Sequence, residues 1–340
     1  MYNFEFTKTK IGFQMKKLAA GIDIGGTNTV LGIVDMDGRV YGESAIRTRD
    51  YPEIDGFVDR LHTEIRTLVR NAGEGIDLAG IGIGAPNGNH YNGTIADAPN
   101  LLWRGDIPLV AKIKRFFPDI PALITNDANA AAIGEMIYGG AKGMKDFIVV
   151  TLGTGLGSGI VANGKLVYGH DSMAGELGHV IVRRDGRSCG CGRKGCLETY
   201  VSATGIRRTI LELLADRTEV SLFRELNFND ITAQMIAEAA INGDPLATEA
   251  FDRTGMMLGE ALADAVAITS PEAIFLFGGL AKAGNLIFEP TRKYMEQNML
   301  STYKNNVKLL PSGLDHGNAA ILGASALVWE SLSESGFFAK

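Results

Sequence analysis

GIVDMDGRVYG, at residues 32–42, recurs as GIVANGKLVYG at residues 159–169. Each copy follows a short apolar run and a turn rich in glycine and threonine, DIGGTN before the first copy and LGTGLGSG before the second. Self-similarity within a chain is typical of a duplicated structural unit. We therefore expect two related halves that face each other, and a chance likeness between two glycine-rich hairpins is the alternative.

The segments around the repeat alternate between strand and helix patterns. Short apolar runs bounded by turn residues predict strands at KLAAGIDIGG, VLGIVD, DLAGIGIGAP and PALITND. The first two continue into a third strand through Asp37-Gly38, for which we expect a type I′ hairpin turn. A helix is predicted from Glu53 to Asn71, closed by Gly73, because one helical face is apolar at Phe57, Leu61, Ile65, Leu68 and Val69. DANAAAIGEMIYGG predicts another helix, and the mixture of elements gives the fold class α/β.

Length and composition exclude several classes of protein. A chain of 340 residues exceeds what one hydrophobic core usually supports, so we expect two domains. With 46% hydrophobic and 21% charged residues, and no apolar run of 18 residues, we expect neither disorder nor a membrane partner. A net charge of −6 without a basic block predicts no nucleic-acid partner. Residues 1–17 lack the apolar segment of a secretory signal, so we expect a flexible extension and a cytoplasmic location.

Three glycine-rich turns are candidates for nucleotide binding. The first two can offer backbone N–H and hydroxyl donors to phosphate through Gly25, Gly26, Thr27, Asn28, Thr154 and Gly155. Neither turn has a Walker A lysine or a good dinucleotide fingerprint, and each alone is more typical of a plain hairpin. Asp23 could hold Mg²⁺ through water, and together with the pair of turns it favours a phosphate site. In the third turn, Gly278 and Gly279 let a planar base approach the backbone, although an ordinary strand-to-helix turn is the alternative.

Asp127 lies where a predicted strand ends and a helix begins, beside Asn126. The positive end of the helix is expected to stabilise its carboxylate. A helix N-cap is one interpretation of an aspartate at this position. The functional interpretation is a general base that accepts a proton from a hydroxyl group attacking a γ-phosphate.

All three cysteines of the chain lie within eight positions, at Cys189, Cys191 and Cys196, and His179 precedes them. One imidazole and three thiolates are a sufficient set for a tetrahedral structural Zn²⁺ site. A disulfide is disfavoured because three cysteines cannot pair completely, and one catalytic nucleophile does not explain three clustered thiols. Glu176 and Glu198 frame the cluster, and a zinc-bound His179 keeps its second ring nitrogen for another hydrogen bond, for instance to a polyol.

These motifs together resemble one known family. DIGGTN, LGTGLGSGI, GELGH and CGCGRKGCLE, in this order, are similar to the ROK family of repressors and kinases, and the resemblance covers nearly all of the chain from Leu18. It implies duplicated ribonuclease-H-like domains of the actin-like ATPase type with an interdomain cleft. It further implies a small α/β domain at residues 18–125, completed by a C-terminal helix at about residues 316–340, and a large α/β domain with the zinc loop at residues 126–315.

The resemblance also implies an activity and the roles of individual residues. Family kinases transfer phosphate from ATP with Mg²⁺ to a hexose, and GELGH with Glu198 is similar to the glucokinase group. The catalytic base falls on Asp127, and the sugar contacts fall on Asn100, Asn126, Asp127, Glu176, His179 and Glu198. The phosphate turns fall on Gly25 to Asn28 and on Thr154 and Gly155, and the adenosine contact on Gly278 and Gly279. A homodimer or a higher homo-oligomer is expected.

Two departures from the family pattern keep alternatives open. Asn87 and Asn318 stand where many members have Gly and Asp, and Asn87 lies in a loop near the sugar. Fructose, mannose, allose, N-acetylglucosamine and N-acetylmannosamine are alternative acceptors, and polyphosphate is an alternative donor. Family repressors carry an N-terminal helix-turn-helix domain, for which about 17 residues are too few. A non-catalytic sugar sensor is the remaining alternative, and it is disfavoured by Asp127, Asp23 and the phosphate turns.

Overall fold

Two five-stranded sheets form the framework of the computed structural model, which describes residues 15–314 and 317–334. The strands are β1 (Lys16–Ile24), β2 (Thr29–Val34), β3 (Val40–Ile46), β4 (Ile76–Gly84), β5 (Gly88–Asn89), β6 (Thr94–Ala96), β7 (Asp106–Ile107), β8 (Ala122–Thr125), β9 (Phe147–Leu152), β10 (Leu156–Ala162), β11 (Lys165–Leu166), β12 (Ala273–Phe277) and β13 (Lys308–Pro311). The helices are α1 (Ile54–Asn71), α2 (Leu109–Lys114), α3 (Asp127–Ile137), α4 (Ala203–Asp216), α5 (Ala233–Ile241), α6 (Pro245–Thr269), α7 (Asn285–Asn298) and α8 (Ala319–Glu334).

The two sheets have the same topology. The strand order is β3-β2-β1-β4-β8 in the first sheet and β11-β10-β9-β12-β13 in the second. In each sheet the first three strands form an antiparallel meander, and two further strands join it in parallel. The two copies of the sequence repeat occupy β2–β3 and β10–β11, which are equivalent positions. The duplicated α/β fold predicted from the repeat is therefore confirmed.

The hairpin turns of the two copies differ. The predicted type I′ turn at Asp37-Gly38 is wrong, because Gly38 has a positive φ of 86° whereas Asp37 does not. Asp35 N donates to Arg39 O at 3.1 Å, and Gly38 N donates to Asp35 O at 3.1 Å, which closes a three-residue loop ending in a left-handed glycine. The second copy has positive φ at both Asn163 and Gly164, as a type I′ turn requires. Both copies have 11 residues, but the loop of the second has only the two residues Asn163 and Gly164, between the paired Ala162 and Lys165. Loop length thus selects the turn type.

The last helix of each half crosses to the opposite sheet. α3 follows the first sheet but packs on β9 and β10, whereas α8 follows the second sheet and packs on β1 and β4. The two helices cross at Gly134 and Gly323, where a β-carbon added to Gly134 would lie 2.8 Å from Gly323 Cα. Small residues at this crossing allow the two helix backbones to approach closely between the sheets.

Replacing Gly82 by alanine is expected to lower the free energy of unfolding by about 3 kcal/mol, measured by urea denaturation. Gly82 in β4 lies beneath α8, and an added β-carbon would be 1.9 Å from Ala324 O. The clash is with main chain, so no side-chain rotation can relieve it. Gly56→Ala is the control, because Gly56 is exposed in α1 and its nearest neighbour would be 3.9 Å away. The control should gain up to about 1 kcal/mol, and equal unfolding midpoints for Gly82→Ala and wild type would contradict the close packing.

The hydrophobic core of the first half agrees with the helical pattern read from the sequence. Phe57, Leu61 and Ile65 of α1 are fully buried against the first sheet. α6 is the long buried helix of the second half, and it starts at Pro245 after the capping residue Asp244. Asp244 Oδ1 accepts from Leu246 N at 3.0 Å and from Ala247 N at 3.1 Å. Cap and proline together fix where this helix begins.

The two ends of the chain differ in detail from the sequence prediction. β1 begins at Lys16, so the predicted extension is too long by at least two residues at its inner end. Residues 1–14 lie outside the described part of the chain. The predicted C-terminal helix begins at Ala319, later than expected, and residues 315–316 and 335–340 also lie outside. Within the described ranges, no helix is both long enough and apolar enough to cross a lipid bilayer.

Candidate functional site

A cleft with a volume of about 820 Å³ opens between the two halves. Most residues predicted to contact sugar, phosphate or adenosine line it, and these are Asn100, Asn126, Asp127, Thr154, Gly155, Glu176, His179, Glu198 and Gly278. Asn87, the departure from the family pattern, also lies on its wall. The first glycine turn, Asp23 and Gly279 do not line this cleft, so the structure brings together most of the predicted site.

Asp127 opens onto the cleft at the first residue of α3. Its Oδ1 accepts from the next backbone amide, Ala128 N, at 2.8 Å. The capping position belongs to Asn126, whose Oδ1 accepts from Asn129 N at 2.6 Å. The N-cap interpretation of Asp127 is therefore wrong, because its neighbour performs that role. The Asp127 side chain is left accessible from the cleft.

The carboxyls of Asp127 and Asp23 are harder to ionise than ordinary aspartates. Although the Asp127 side chain can be reached from the cleft, the protein around it desolvates the carboxylate and raises its pKa, and the helix amides oppose this only in part. Desolvation and the Asp127 charge raise the pKa of half-buried Asp23 to about 7. The expectation that the helix end would dominate is thus wrong. Two acids near one site suit a bound cation that neutralises them.

Asp23→Asn is expected to flatten the pH dependence of stability in protein free of divalent metal. The folded pKa of Asp23 lies above the unfolded one, so the folded state holds the extra proton between about pH 4 and 7 and the wild type loses stability as pH rises through this window. One proton gives a slope of at most about 1.4 kcal/mol per pH unit. Urea denaturation from pH 4 to 8 measures it. Asp216→Asn, an exposed change at the end of α4, should keep the wild-type slope, and an unchanged slope in Asp23→Asn would refute the shift.

The first glycine turn lies next to the cleft through main-chain contacts. It is closed by Gly25 N donating to Asn28 O at 3.0 Å. A β-carbon on Gly26 would lie 2.4 Å from Asn100 O, so the turn packs directly against the loop that carries Asn100. Thr27 and Asn28 are exposed. The turn joins β1 to β2, and the second glycine turn joins β9 to β10, at the equivalent place in the other half.

A second cavity of about 670 Å³ adjoins the second glycine turn. This cavity shares the lining residues Gly153 and Thr154 with the cleft, and Gly279 also lines it. The other lining residues are mainly apolar and are Leu152, Ala203, Ala233, Gln234, Ala237, Leu280, Lys282 and Ala283. Sequence reasoning missed these residues, because alanines on α4 and α5 have no local feature that indicates ligand binding.

Gly278 allows the backbone to turn at the boundary between the two cavities. Its φ is +103°, and an added β-carbon would lie 2.7 Å from Leu152 O. A short 3₁₀ helix at Leu280–Ala283 follows, and α7 begins only at Asn285. The predicted strand-to-helix turn is therefore present with an extra helical turn inserted.

The four predicted metal ligands lie together. The candidate ligand atoms of His179, Cys189, Cys191 and Cys196 are all within 4.8 Å of one another. Cys191 Sγ and Cys196 Sγ are 3.6 Å apart, and Cys189 Sγ is 3.7 Å from His179 Nδ1. A tetrahedral zinc ion with Zn–S bonds of about 2.3 Å separates its sulfur ligands by about 3.8 Å. One nitrogen and three sulfurs with this spacing fit a structural zinc ion.

The surroundings of the thiols differ from one another. Desolvation and a hydrogen bond to Glu198 raise the pKa of Cys189, whose Sγ donates to Glu198 Oε1 at 2.9 Å. A hydrogen bond from Arg193 lowers the pKa of Cys191 to about 6. Arg193 also donates to His179 O at 2.9 Å, and this hydrogen bond holds the backbone of the histidine in place. Sequence reasoning did not single out Arg193.

Glu198 and Glu176 connect the metal cluster to the cleft. Glu198 Oε1 lies 3.7 Å from His179 Nδ1, and its Oε2 would be 2.7 Å from a β-carbon added to Gly155. Desolvation by the cleft wall raises the pKa of Glu176, and His179 opposes the shift. The metal cluster, the second glycine turn and the sugar-binding candidates therefore form one continuous surface.

The loop after β4 also contacts the second half directly. Asn89 Nδ2 donates to Asp171 O at 2.9 Å, and His90 N donates to Ser172 Oγ at 2.8 Å. The His90 ring stacks on Tyr168 with centroids 4.1 Å apart. These contacts join the halves next to the segment that leads to Glu176.

The two halves have the same topology, each has a glycine turn at the same place, and a polar cleft lies between them. These features define the duplicated ribonuclease-H-like fold of the actin-like ATPase class. The chain belongs to the ROK family, whose model matches residues 19–331.

Kinases and repressors both occur among the similar proteins. The chain is 37% identical to the glucokinase of Streptomyces coelicolor over 281 residues, which cover 81% of this chain and 86% of that protein. It is 30% identical to the xylose repressor of Bacillus subtilis, with 91% of this chain and 76% of the repressor covered. A crystal structure of a ROK family glucokinase from Streptomyces griseus with glucose and AMPPNP has a TM-score of 0.75 and 35% identity, with 92% and 99% of the two chains covered.

Proposed function

We propose that the protein transfers a phosphoryl group from Mg²⁺-ATP to a hydroxyl of a hexose, with glucose as the first candidate. The observation that carries this proposal is Asp127, an accessible carboxylate on the cleft wall that is not needed as a helix cap. Its raised pKa suits a base, because a carboxylate of higher pKa accepts a proton more readily. The glucokinases among the relatives support glucose as the acceptor.

On the acceptor side, Asp127 takes the proton of the attacking hydroxyl as the new O–P bond forms. The other ring hydroxyls are bound by side chains that line the same cleft, namely Asn100, Asn126, Glu176, His179 and Glu198. Asn126 already uses its Oδ1 as a cap, so its NH₂ group is the part available to the sugar. Zinc held by His179 and the three cysteines orders the loop that supplies two of these contacts.

On the donor side, the turns at Gly25 to Asn28 and at Thr154–Gly155 bind the phosphates through backbone N–H groups. Asp23 holds Mg²⁺, and the positive charge of the ion also reduces the repulsion between the carboxylates of Asp23 and Asp127. The apolar second cavity beyond Thr154, with Gly278 and Gly279 beside it, receives the adenosine. An apolar cavity favours a nucleotide over polyphosphate, because a polyphosphate chain has no apolar part to bury.

The division into closing lobes belongs to the same proposal. One lobe consists of residues 18–125 with α8, and the other of residues 126–315, since α8 packs on the first sheet and α3 on the second. Closure of the lobes would bring the first glycine turn, which lies outside the cleft wall, towards the second.

A sugar sensor without catalysis is the second candidate, and the xylose repressors among the relatives favour it. A sensor needs the sugar-binding wall but no general base and no adenosine cavity. A coupled ADP-release assay with Mg²⁺-ATP separates the two, with glucose and each of the other hexoses and N-acetylhexosamines at equal concentration. The highest kcat/KM with glucose supports the proposal, and preference for another sugar changes only the acceptor. Absence of ADP release with every sugar, together with measurable sugar binding, would establish the sensor.

A further inference from the structure

Arg187 lies in the metal loop, residues 179–198, and every donor of its side chain is used. An arginine side chain has five N–H donors. Nε donates to Glu212 Oε1 at 2.9 Å, and Nη2 donates to Glu212 Oε2 at 2.6 Å and to Thr209 Oγ1 at 2.9 Å. Nη1 donates to Thr199 O at 2.8 Å and to Gly205 O at 3.0 Å. The side chain is only 8% exposed, so these five bonds replace nearly all of its hydration.

The partners of Arg187 belong to the chain that follows the metal loop. Thr199 is next to the cleft residue Glu198, and Gly205, Thr209 and Glu212 lie on α4. The guanidinium carbon lies 4.5 Å from the centre of the Tyr200 ring.

The backbone of Arg187 also forms hydrogen bonds, both within the metal loop and with the segment that follows it. Arg187 N donates to Tyr200 OH at 3.0 Å, and Gly195 N donates to Arg187 O at 2.8 Å. Arg187 thus connects the turn before Cys189, the turn before Cys196 and the start of α4.

We propose that Arg187 is a positioning residue that holds the metal loop in its ligand-binding shape independently of the ion. All its contacts are with protein, so they form whether or not zinc is bound. Preorganised ligands lose less conformational entropy when the metal binds, and outer contacts of this kind typically affect metal affinity about 10–100-fold. The same contacts place Glu198, so the residue also acts on sugar binding; this second part rests on the proposed function.

Lysine cannot replace this arginine, because it has three donors on one nitrogen and no planar fork. Arg187→Lys keeps the charge and is expected to weaken zinc binding about 10–100-fold, measured by competition with a chromogenic zinc chelator. The KM for the hexose should rise about five-fold, while kcat stays within about three-fold of the wild-type value. Arg183→Lys is the matched control in the same loop, since Arg183 makes one exposed ion pair with Glu260 at 3.1 Å. The control should bind zinc as tightly as the wild type.

Wild-type zinc affinity in Arg187→Lys would overturn the proposal. If that variant cannot be purified, Glu212→Gln provides the deciding test. It removes the carboxylate that accepts from Nε and Nη2 of Arg187, and it keeps the arginine. Weaker zinc binding in Glu212→Gln supports the proposal, and unchanged binding overturns it. The zinc measurement needs no turnover, so failure of the kinase assay would refute the proposed function and leave this test intact.

Discussion

Asp127→Asn is expected to lower kcat for hexose phosphorylation roughly 10²–10⁴-fold, with the KM for the sugar changed only a few-fold. Asparagine has the size of aspartate, and its Oδ1 can still accept from Ala128 N, so the start of α3 should be unchanged. It cannot take the proton of the attacking hydroxyl. Initial rates from the coupled ADP-release assay over a range of sugar concentrations separate kcat from KM.

Asp37→Asn is the matched control for charge. Asp37 is an exposed residue in the β2–β3 hairpin and is not among the cleft-lining residues. Its variant should keep wild-type kcat and KM. Near-normal kcat in Asp127→Asn would remove the assignment of Asp127 as the base, and an equal loss in both variants would point to a general charge effect instead.

Cys196→Ser is expected to abolish zinc binding, from about one equivalent per chain by elemental analysis to almost none. Cys196 is fully buried, and its replacement leaves three ligands and a hydroxyl that binds zinc poorly. We expect kcat/KM to fall more than about 100-fold, because loss of outer contacts alone costs 10–100-fold. The melting temperature should also fall, since zinc binding contributes directly to folding of the loop.

Ser188→Ala is the control for the metal loop, because Ser188 is exposed and adjacent to Cys189 without being a ligand. It should keep one zinc equivalent and wild-type turnover. Removal of zinc from the wild type with a strong chelator should reproduce the Cys196→Ser phenotype, and added zinc should reverse it. Folded, fully active protein without zinc would contradict the structural role of the metal.

Local patterns account for the parts that could be predicted. The hairpin repeat, the apolar face of α1 and the strand at residues 273–277 depend on neighbouring residues, so their periodicity is visible in the sequence. The metal cluster is also local apart from His179, since its three cysteines lie within eight positions. Three clustered thiols have few chemical uses, which made this prediction specific.

The predictions from sequence were wrong or incomplete where two neighbouring residues suit the same role, or where residues distant in the chain determine the structure. Asn126 and Asp127 are both good capping residues, and only the backbone angles at the start of α3 assign the cap to Asn126. Asp37 and Gly38 alone predict a type I′ turn, although the length of the whole loop decides its type. Arg187 has no motif, because all the acceptors of its side chain lie on four residues 12 to 25 positions further along the chain.

By itself the sequence determined the duplicated α/β architecture, the candidate metal ligands and the residues that form the glycine turns, because each depends on short-range pattern or on residue chemistry. Only the tertiary structure decided which of these residues share the cleft, where the second cavity lies and that the pKa values of Asp23 and Asp127 are raised. Desolvation and charge interactions sum over all atoms near a group. Most of those atoms come from distant parts of the chain, so no local stretch of sequence contains the answer.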